Sequence, residues 1–356
     1  MLALSVAFTA CSNDDDDSSN DDGSLVELPK KRAFILNEGK YKANNAGIAF
    51  YAPDKDAKDS KNNFIGDIYK AQNGKGLGDT GQDIIEYADN MYVVMSGSKL
   101  LLKLNKAGVE QKSLSFSESD GNPRYMAAEG GKIYVSLYSG KVARVDAKTL
   151  TIEKYVETAA NPEQMAIAGN KLYVANGGVK GKGTTVSVVN LATFEKEKDI
   201  DVLINPNLML EANDEIYLIS WGNFGNIPYS LQRINADGTS DVIGEASFFA
   251  EHNDVIYAVL SKSDWSVQPP VTVNTYFTYN AKTHTPNNES FLKKDVPAEL
   301  ASAGVYAINV DDNGDIYITT SDYTTNGDVY RFSSNGAFME KFDCGGINPR
   351  KILFVD

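Results

Sequence analysis

The sequence predicts an all-β chain folded as a seven-bladed β-propeller of four-stranded blades. Three observations predict it: an internal period near 40 residues, two strand markers that recur with that period, and no helical stretch of any length. The first marker is a turn pair followed by an apolar-Tyr-apolar strand. It recurs at Asn90-Met91-Tyr92-Val93, Lys132-Ile133-Tyr134-Val135, Lys171-Leu172-Tyr173-Val174, Glu215-Ile216-Tyr217-Leu218, Val255-Ile256-Tyr257-Ala258 and Asp315-Ile316-Tyr317-Ile318, the tyrosines stepping by 42, 39, 44, 40 and 60 residues. The second marker is an alternating strand that runs into a turn former: Leu104-Asn105, Val145-Asp146, Val189-Asn190, Ile234-Asn235, Tyr279-Asn280 and Phe332-Ser333.

Six full units run from Gln82 to Phe342, and the remaining pieces make the seventh. Phe34 to Leu36, Ile48 to Tyr51 and Phe64 to Tyr69 supply three strands at the N-terminal end; Lys351 to Val355 is an orphan strand at the other. Pairing the orphan with the first blade closes the ring and removes the exposed sheet edges of an open array. A solenoid or a β-sandwich is the competing architecture.

Ahead of the propeller, predicted over 32–356, lie two segments of different character. Residues 1–10 read as a lipoprotein signal: an apolar stretch from Leu2 to Phe8, then Thr9 and Ala10 before Cys11, the expected lipidation site. Several alkyl chains at about 0.8 kcal/mol per methylene would make a lasting anchor. Residues 11–31, with the run Asp14 to Asp17 followed by Asp21 and Asp22, are too charged to fold and form an acidic tether. A solubilising linker on a periplasmic protein is the alternative to a surface-directed one. The net charge of −14 drops to −8 once those six aspartates are set aside, which gives the globular part no electrostatic case for binding nucleic acid. With Cys11 lipidated, Cys344 has no disulfide partner. The propeller is expected to be monomeric and to meet the membrane only through its anchor.

The loops after the tyrosine strands are long: 37–45, 176–184, 221–229, 262–271 and 321–327. In a propeller they share one face with the loops into the innermost strands. Those carry Gly121-Asn122-Pro123-Arg124-Tyr125, Asn161-Pro162-Glu163-Gln164, Asn205-Pro206-Asn207 and Asn348-Pro349-Arg350. The Asn-Pro corners read as structural, the proline fixing φ and pushing its predecessor extended. Both tryptophans, Trp221 and Trp265, fall in the long loops. The candidate ligand-binding set on this face is Tyr41, Asn44, Tyr125, Tyr138, Asn176, Trp221, Phe224, Tyr229, Trp265, Tyr323 and Arg350. Aromatic side chains placed in loops offer contact area at small entropic cost to a flat or sugar-like ligand; a loop tryptophan that merely covers its own blade is the alternative.

No catalytic or metal-ligating residue is assigned. His252 and His284, the chain's two histidines, are predicted on different strands of one blade, too few for a metal site or a Ser-His-Asp constellation. Gly74 to Gly78 lacks P-loop spacing and a following helix, and reads as a flexible loop. Asp311-Asp312-Asn313-Gly314-Asp315 and Asp54 to Asp59 lack the closing glutamate of a calcium loop.

Several framework segments carry a resemblance. Ile35-Leu36-Asn37-Glu38-Gly39, Asn44 to Tyr51, Gly76-Leu77-Gly78-Asp79, Pro123-Arg124-Tyr125 and Gly327 to Phe332 look like the YncE-like, surface-layer-like propeller lipoproteins of gut Bacteroides, over nearly the whole chain after residue 31. That family includes surface-exposed propellers that bind cobalamin (vitamin B12) and pass it to an outer-membrane TonB-dependent transporter. The acidic run is similar to the export signal of surface-exposed lipoproteins. The resemblance implies an outer-membrane, surface-exposed location, a corrinoid as bound ligand rather than catalytic cofactor, and a transporter partner. A glycan-binding or adhesive surface protein is the alternative, and a propeller lactonase or lyase the third reading.

Overall fold

The computed structural model describes residues 23–55, 57, 63–264, 266–267 and 271–355. The signal segment, Cys11 and the acidic run lie outside them, and so does Trp265. Seven four-stranded antiparallel sheets are arranged as the blades of a propeller. Blades 2 to 7 begin with the innermost strands Gly81–Tyr87, Pro123–Glu129, Pro162–Ala168, Pro206–Ala212, Phe248–His252 and Val305–Val310. Blade 1 takes its innermost strand from the C-terminal end: Pro349–Val355 pairs with Arg32–Asn37, with Ile35 opposite Ile352 and Arg32 opposite Val355. The ring is therefore closed by backbone hydrogen bonds between the two ends of the propeller.

The core is a series of apolar layers, one between each pair of neighbouring sheets. Phe34, Phe50, Ile84 and Val93 fill the layer between blades 1 and 2, while Ile35, Tyr51, Tyr317 and Ile352 fill the one between blades 7 and 1. The repeated tyrosine has a physical reason: its ring packs in such a layer and its hydroxyl can reach the next blade, as Tyr92 Oη does to the carbonyl of Ala147 at 2.8 Å. The second marker is an Asx turn. Asn105 Oδ1 accepts from the amides of Ala107 and Val109, and Asp146 Oδ1 from those of Lys148 and Thr149.

Four local expectations are corrected. Phe64 to Tyr69 is not one strand: Phe64–Ile65 is a two-residue strand, followed by a helix over Ile68–Asn73. Asp67 caps that helix by accepting from Lys70 N at 3.0 Å, Gly74 ends it at φ +66°, and Ile68, Tyr69 and Gln72 form its buried face. Gln72 in turn accepts from the amides of Leu25 and Val26, so part of the segment read as tether lies against blade 1, with Leu28 buried. The loop expected over 262–271 is strand at both ends, since Lys262 to Asp264 and Val271 belong to the strands Val255–Asp264 and Val271–Asn280, which pair along ten residues. His284 sits in a turn rather than a strand.

Candidate functional site

The site is built where the innermost strands begin. Six of the seven open on a β-bulge, an extra residue that interrupts the ladder and re-aims a side chain. The bulged positions are Gln82, Arg124-Tyr125, Glu163-Gln164, Asn207, Tyr306 and Arg350; blade 6 presents Phe248 without a bulge. The chain reaches each bulge through a corner. Thr80, Asn161, Asn205 and Asn348 have φ of +58°, +51°, +64° and +59°. Three of the four asparagines before proline, Asn161, Asn205 and Asn348, are therefore left-handed in φ, not extended as expected, a region asparagine tolerates better than most residues; at the fourth corner Gly121, not Asn122, takes the positive φ, at +70°.

These bulges turn polar groups into the mouth of the central channel, where they lock together. Arg124 donates from Nε to Glu163 Oε2 at 3.0 Å and from Nη1 to Gln82 Oε1, and Tyr138 donates to Glu163 Oε1 at 2.5 Å. Arg350 donates to Glu38 Oε2 at 3.0 Å and to Tyr125 Oη; Tyr306 donates to the same Glu38 oxygen at 2.5 Å. Lys351 bonds Asp83 Oδ1 at 2.8 Å. The two guanidinium groups lie 5.7 and 5.5 Å from the Tyr125 ring, and Arg124 lies 4.8 Å from that of Tyr138. Burial pushes the phenols of Tyr125, Tyr138 and Tyr306 up, so the latter two serve their glutamates as donors. Burial alone would pull Arg350 down, but Tyr125, Glu38 and Tyr306 together hold it well above its ordinary value.

Over this platform opens a cavity of about 1220 Å³ lined by residues of all seven blades. One wall is the polar platform of blades 1 to 4, extended by Tyr306 and Asn309 of blade 7. The other, on blades 5 to 7, is aromatic: Trp221, Phe224, Tyr229, Phe248, Phe249 and Tyr323. Trp221 is pinned across two blades by Nε1 donating to Ser247 O at 3.2 Å and by an edge contact with Phe248 at 6.5 Å. Phe224 and Tyr323, 74% and 61% exposed, sit at φ +54° and +63°, a region that bulky residues adopt only when their surroundings impose it. Here the turns do so. Asn223 Oδ1 accepts from Gly225 N and Ile227 N, and Asp322 Oδ1 from Thr324 N and Thr325 N.

Of the residues singled out from sequence, the cavity brings together Tyr125, Trp221, Phe224, Tyr229, Tyr323 and Arg350. Tyr41 and Asn44 stand outside its lining on a rim turn, Tyr138 supports Arg124 from behind it, and Asn176 is buried, donating to Thr185 and Ser187 within its own blade. Sequence reasoning missed Glu38, Gln82, Asp83, Arg124, Glu163 and Tyr306. The signal was present: a polar residue directly after each proline corner, Arg124, Glu163, Asn207 and Arg350, had no reason to recur in a purely structural turn.

The family model described as a domain of unknown function, DUF5074, matches residues 31–215. No curated protein matches the chain in sequence. Among solved structures, the chain is similar to a quinoprotein alcohol dehydrogenase-like protein from Bacteroides thetaiotaomicron, at TM-score 0.64 and 15% identity over 91% of this chain and 78% of that one. It is similar also to AztD from Citrobacter koseri, at TM-score 0.53 and 10% identity over 91% and 97%, and to a streptogramin B lyase, at 0.55 and 11% over 74% and 82%. At such identities the likeness is one of fold.

Proposed function

Since the chain belongs to the DUF5074 family, whose description assigns no activity, we propose from its site that it is a ligand-binding propeller, with a corrinoid such as cobalamin as its first candidate ligand. The observation that carries this is the cavity's size and make-up: about 1220 Å³, fed by seven blades, aromatic on one side and polar on the other. Sites for drug-sized ligands span roughly 300–1,000 Å³, so this mouth suits something larger. A corrinoid, a broad flat ring fringed with amides, wants such a bowl; a glycan could be held on a single rim. Binding rather than catalysis is favoured because Glu38, Asp83 and Glu163 are each committed to a cation.

On this reading the protein is anchored in the outer membrane through Cys11, faces outward, and passes its ligand to a TonB-dependent transporter. The same exposed aromatics, Phe224 and Tyr323, would serve a glycan-binding protein, which is the second reading. The test is calorimetry of the purified chain with cyanocobalamin, together with co-elution of the red chromophore on gel filtration. Stoichiometric binding supports vitamin capture. No heat and no co-elution at tens of micromolar ligand would overturn the corrinoid assignment and move a glycan array to the front.

A further inference from the structure

Three N–H groups buried along one side of the channel have no hydrogen-bond partner among the described residues: Asn309 Nδ2, Arg350 Nε and Gln82 Nε2. They come from blades 7, 1 and 2, whose innermost strands are neighbours, and all three residues line the cavity. Gln82 is 1% exposed. Buried donors without acceptors are destabilising and therefore rare, so three along one wall require an explanation.

Their orientation is not a matter of choice. An amide's oxygen and nitrogen are told apart by their neighbours. Gln82 Oε1 faces the Arg124 guanidinium, which only donates, so Nε2 must be the end left over. Asn309 Oδ1 accepts from the amide of Ile352 at 3.2 Å, which leaves its Nδ2 free in the same way. Arg350 has spent its terminal nitrogens on Glu38 and Tyr125, leaving Nε. Asn309 is level with Ile352, two residues further along the innermost strand than Arg350, so the donors stand at two depths roughly 6–7 Å apart along the channel wall.

The charge around them selects the acceptor. Arg350 is paired with Glu38, Arg124 with Glu163 and Lys351 with Asp83, so no cation on this wall is left to neutralise an anion. A carboxylate placed here would face Glu38 and Asp83 without compensation. A neutral carbonyl oxygen would not. We propose that this wall is a carboxamide subsite: Gln82 Nε2 and Arg350 Nε donate to an amide oxygen of the ligand, Asn309 Nδ2 takes a second oxygen deeper in the channel, and the flanking carboxylates receive the amide N–H groups. The proposal rests on the ligand-binding reading above and narrows it to ligands that carry primary amides.

Two experiments separate the subsite from that reading. In the first, the full chain is titrated with propionamide and, separately, propionate, while the side-chain amide resonances of Gln82, assigned by their loss in Gln82→Glu, are followed by NMR. Propionamide moves these resonances and propionate does not; no movement with either, or movement with propionate alone, overturns the proposal whatever the natural ligand is. In the second, cyanocobalamin binding is compared in wild type, Gln82→Glu and Asn309→Asp. Each variant keeps an oxygen for Arg124 or for the amide of Ile352 and replaces the free donor by a charged carboxylate oxygen that can only accept. Binding weaker by about tenfold or more in both is expected. Wild-type affinity in both refutes the subsite and leaves the ligand-binding reading standing. Failure of the wild-type chain to bind cyanocobalamin removes the corrinoid, and the propionamide titration then decides the subsite alone.

Discussion

Replacing Glu163 by Gln tests whether the platform under the cavity is rigid. Glu163 is 6% exposed, and both its oxygens are used: one by Nε and Nη2 of Arg124, each at 3.0 Å, the other by the Tyr138 hydroxyl. The isosteric amide keeps the shape but leaves the buried Arg124 guanidinium without its counter-charge. Breaking a buried pair by removing one partner costs about 3–5 kcal/mol, and the retained amide oxygen places this variant near the lower end. At roughly 2 °C per kcal/mol for a large domain, the midpoint of thermal unfolding should fall by about 6 °C. Urea unfolding followed by tryptophan fluorescence measures the same loss as a shifted midpoint. The double variant Arg124→Met/Glu163→Met removes both charges and should recover most of it, because well-packed apolar side chains replace buried pairs at little cost. A Glu163→Gln protein within about 0.5 kcal/mol of wild type, the scale of an ordinary surface substitution, would refute the claim that this pair organises the platform.

Three further outcomes follow from the same geometry. Trp221→Ala should weaken ligand binding by at least about 1–2 kcal/mol, as a buried aromatic anchor does, while Phe224→Ala should lower affinity without moving the unfolding midpoint, because its ring is 74% exposed; calorimetry and thermal melts of the two variants check both. Burial raises the Cys344 thiol from 9.0 to about 12, so iodoacetamide should leave it unmodified in the folded protein at pH 8 and alkylate it on unfolding. Because this pKa is raised, the stability it contributes is complete below pH 9 and is lost as pH climbs toward 12, which urea midpoints across that window would register. Asp67→Ala removes the side-chain cap of the Ile68–Asn73 helix and should cost about 1 kcal/mol, read as a shift in the urea midpoint.

The ring was legible because its construction is periodic. A tyrosine whose ring fills an inter-blade layer and whose hydroxyl can bond beyond its own strand must recur once per blade, and an asparagine or aspartate that folds its own turn must recur with it. The orphan strand at Lys351 to Val355 announced the closure for the same reason: it had no sheet of its own. What breaks the period was harder to see. The Ile68–Asn73 helix spans six residues, too short for a 3.6-residue pattern to stand out, and its only local signals are the capping Asp67 and the terminating Gly74. The long hairpin of blade 6 hid behind its polarity, since Ser261, Lys262 and Ser263 look like loop residues yet belong to a strand that projects past the core.

The candidate site was half legible, and the halves divide by physics. The aromatic wall stood out because large apolar residues in loops contradict the expectation that loops are polar. The opposing wall did not, because Arg124, Glu163 and Arg350 are ordinary polar residues beside prolines, and only the bulge reveals that they meet one another at the platform. A bulge costs a ladder hydrogen bond, so a fold that repeats it in six of seven blades, each time at the strand's first turn into the channel, spends regular structure to aim side chains at one point. Four of those positions carry groups that satisfy one another across blades, which fixes the platform before any ligand arrives. Two of the four, Gln82 and Arg350, also keep a donor in reserve, with Asn309 deeper along the same wall. A site pre-set in this way should bind with little loss of side-chain entropy, so its affinity should depend on matching those donors more than on the area the aromatic wall buries.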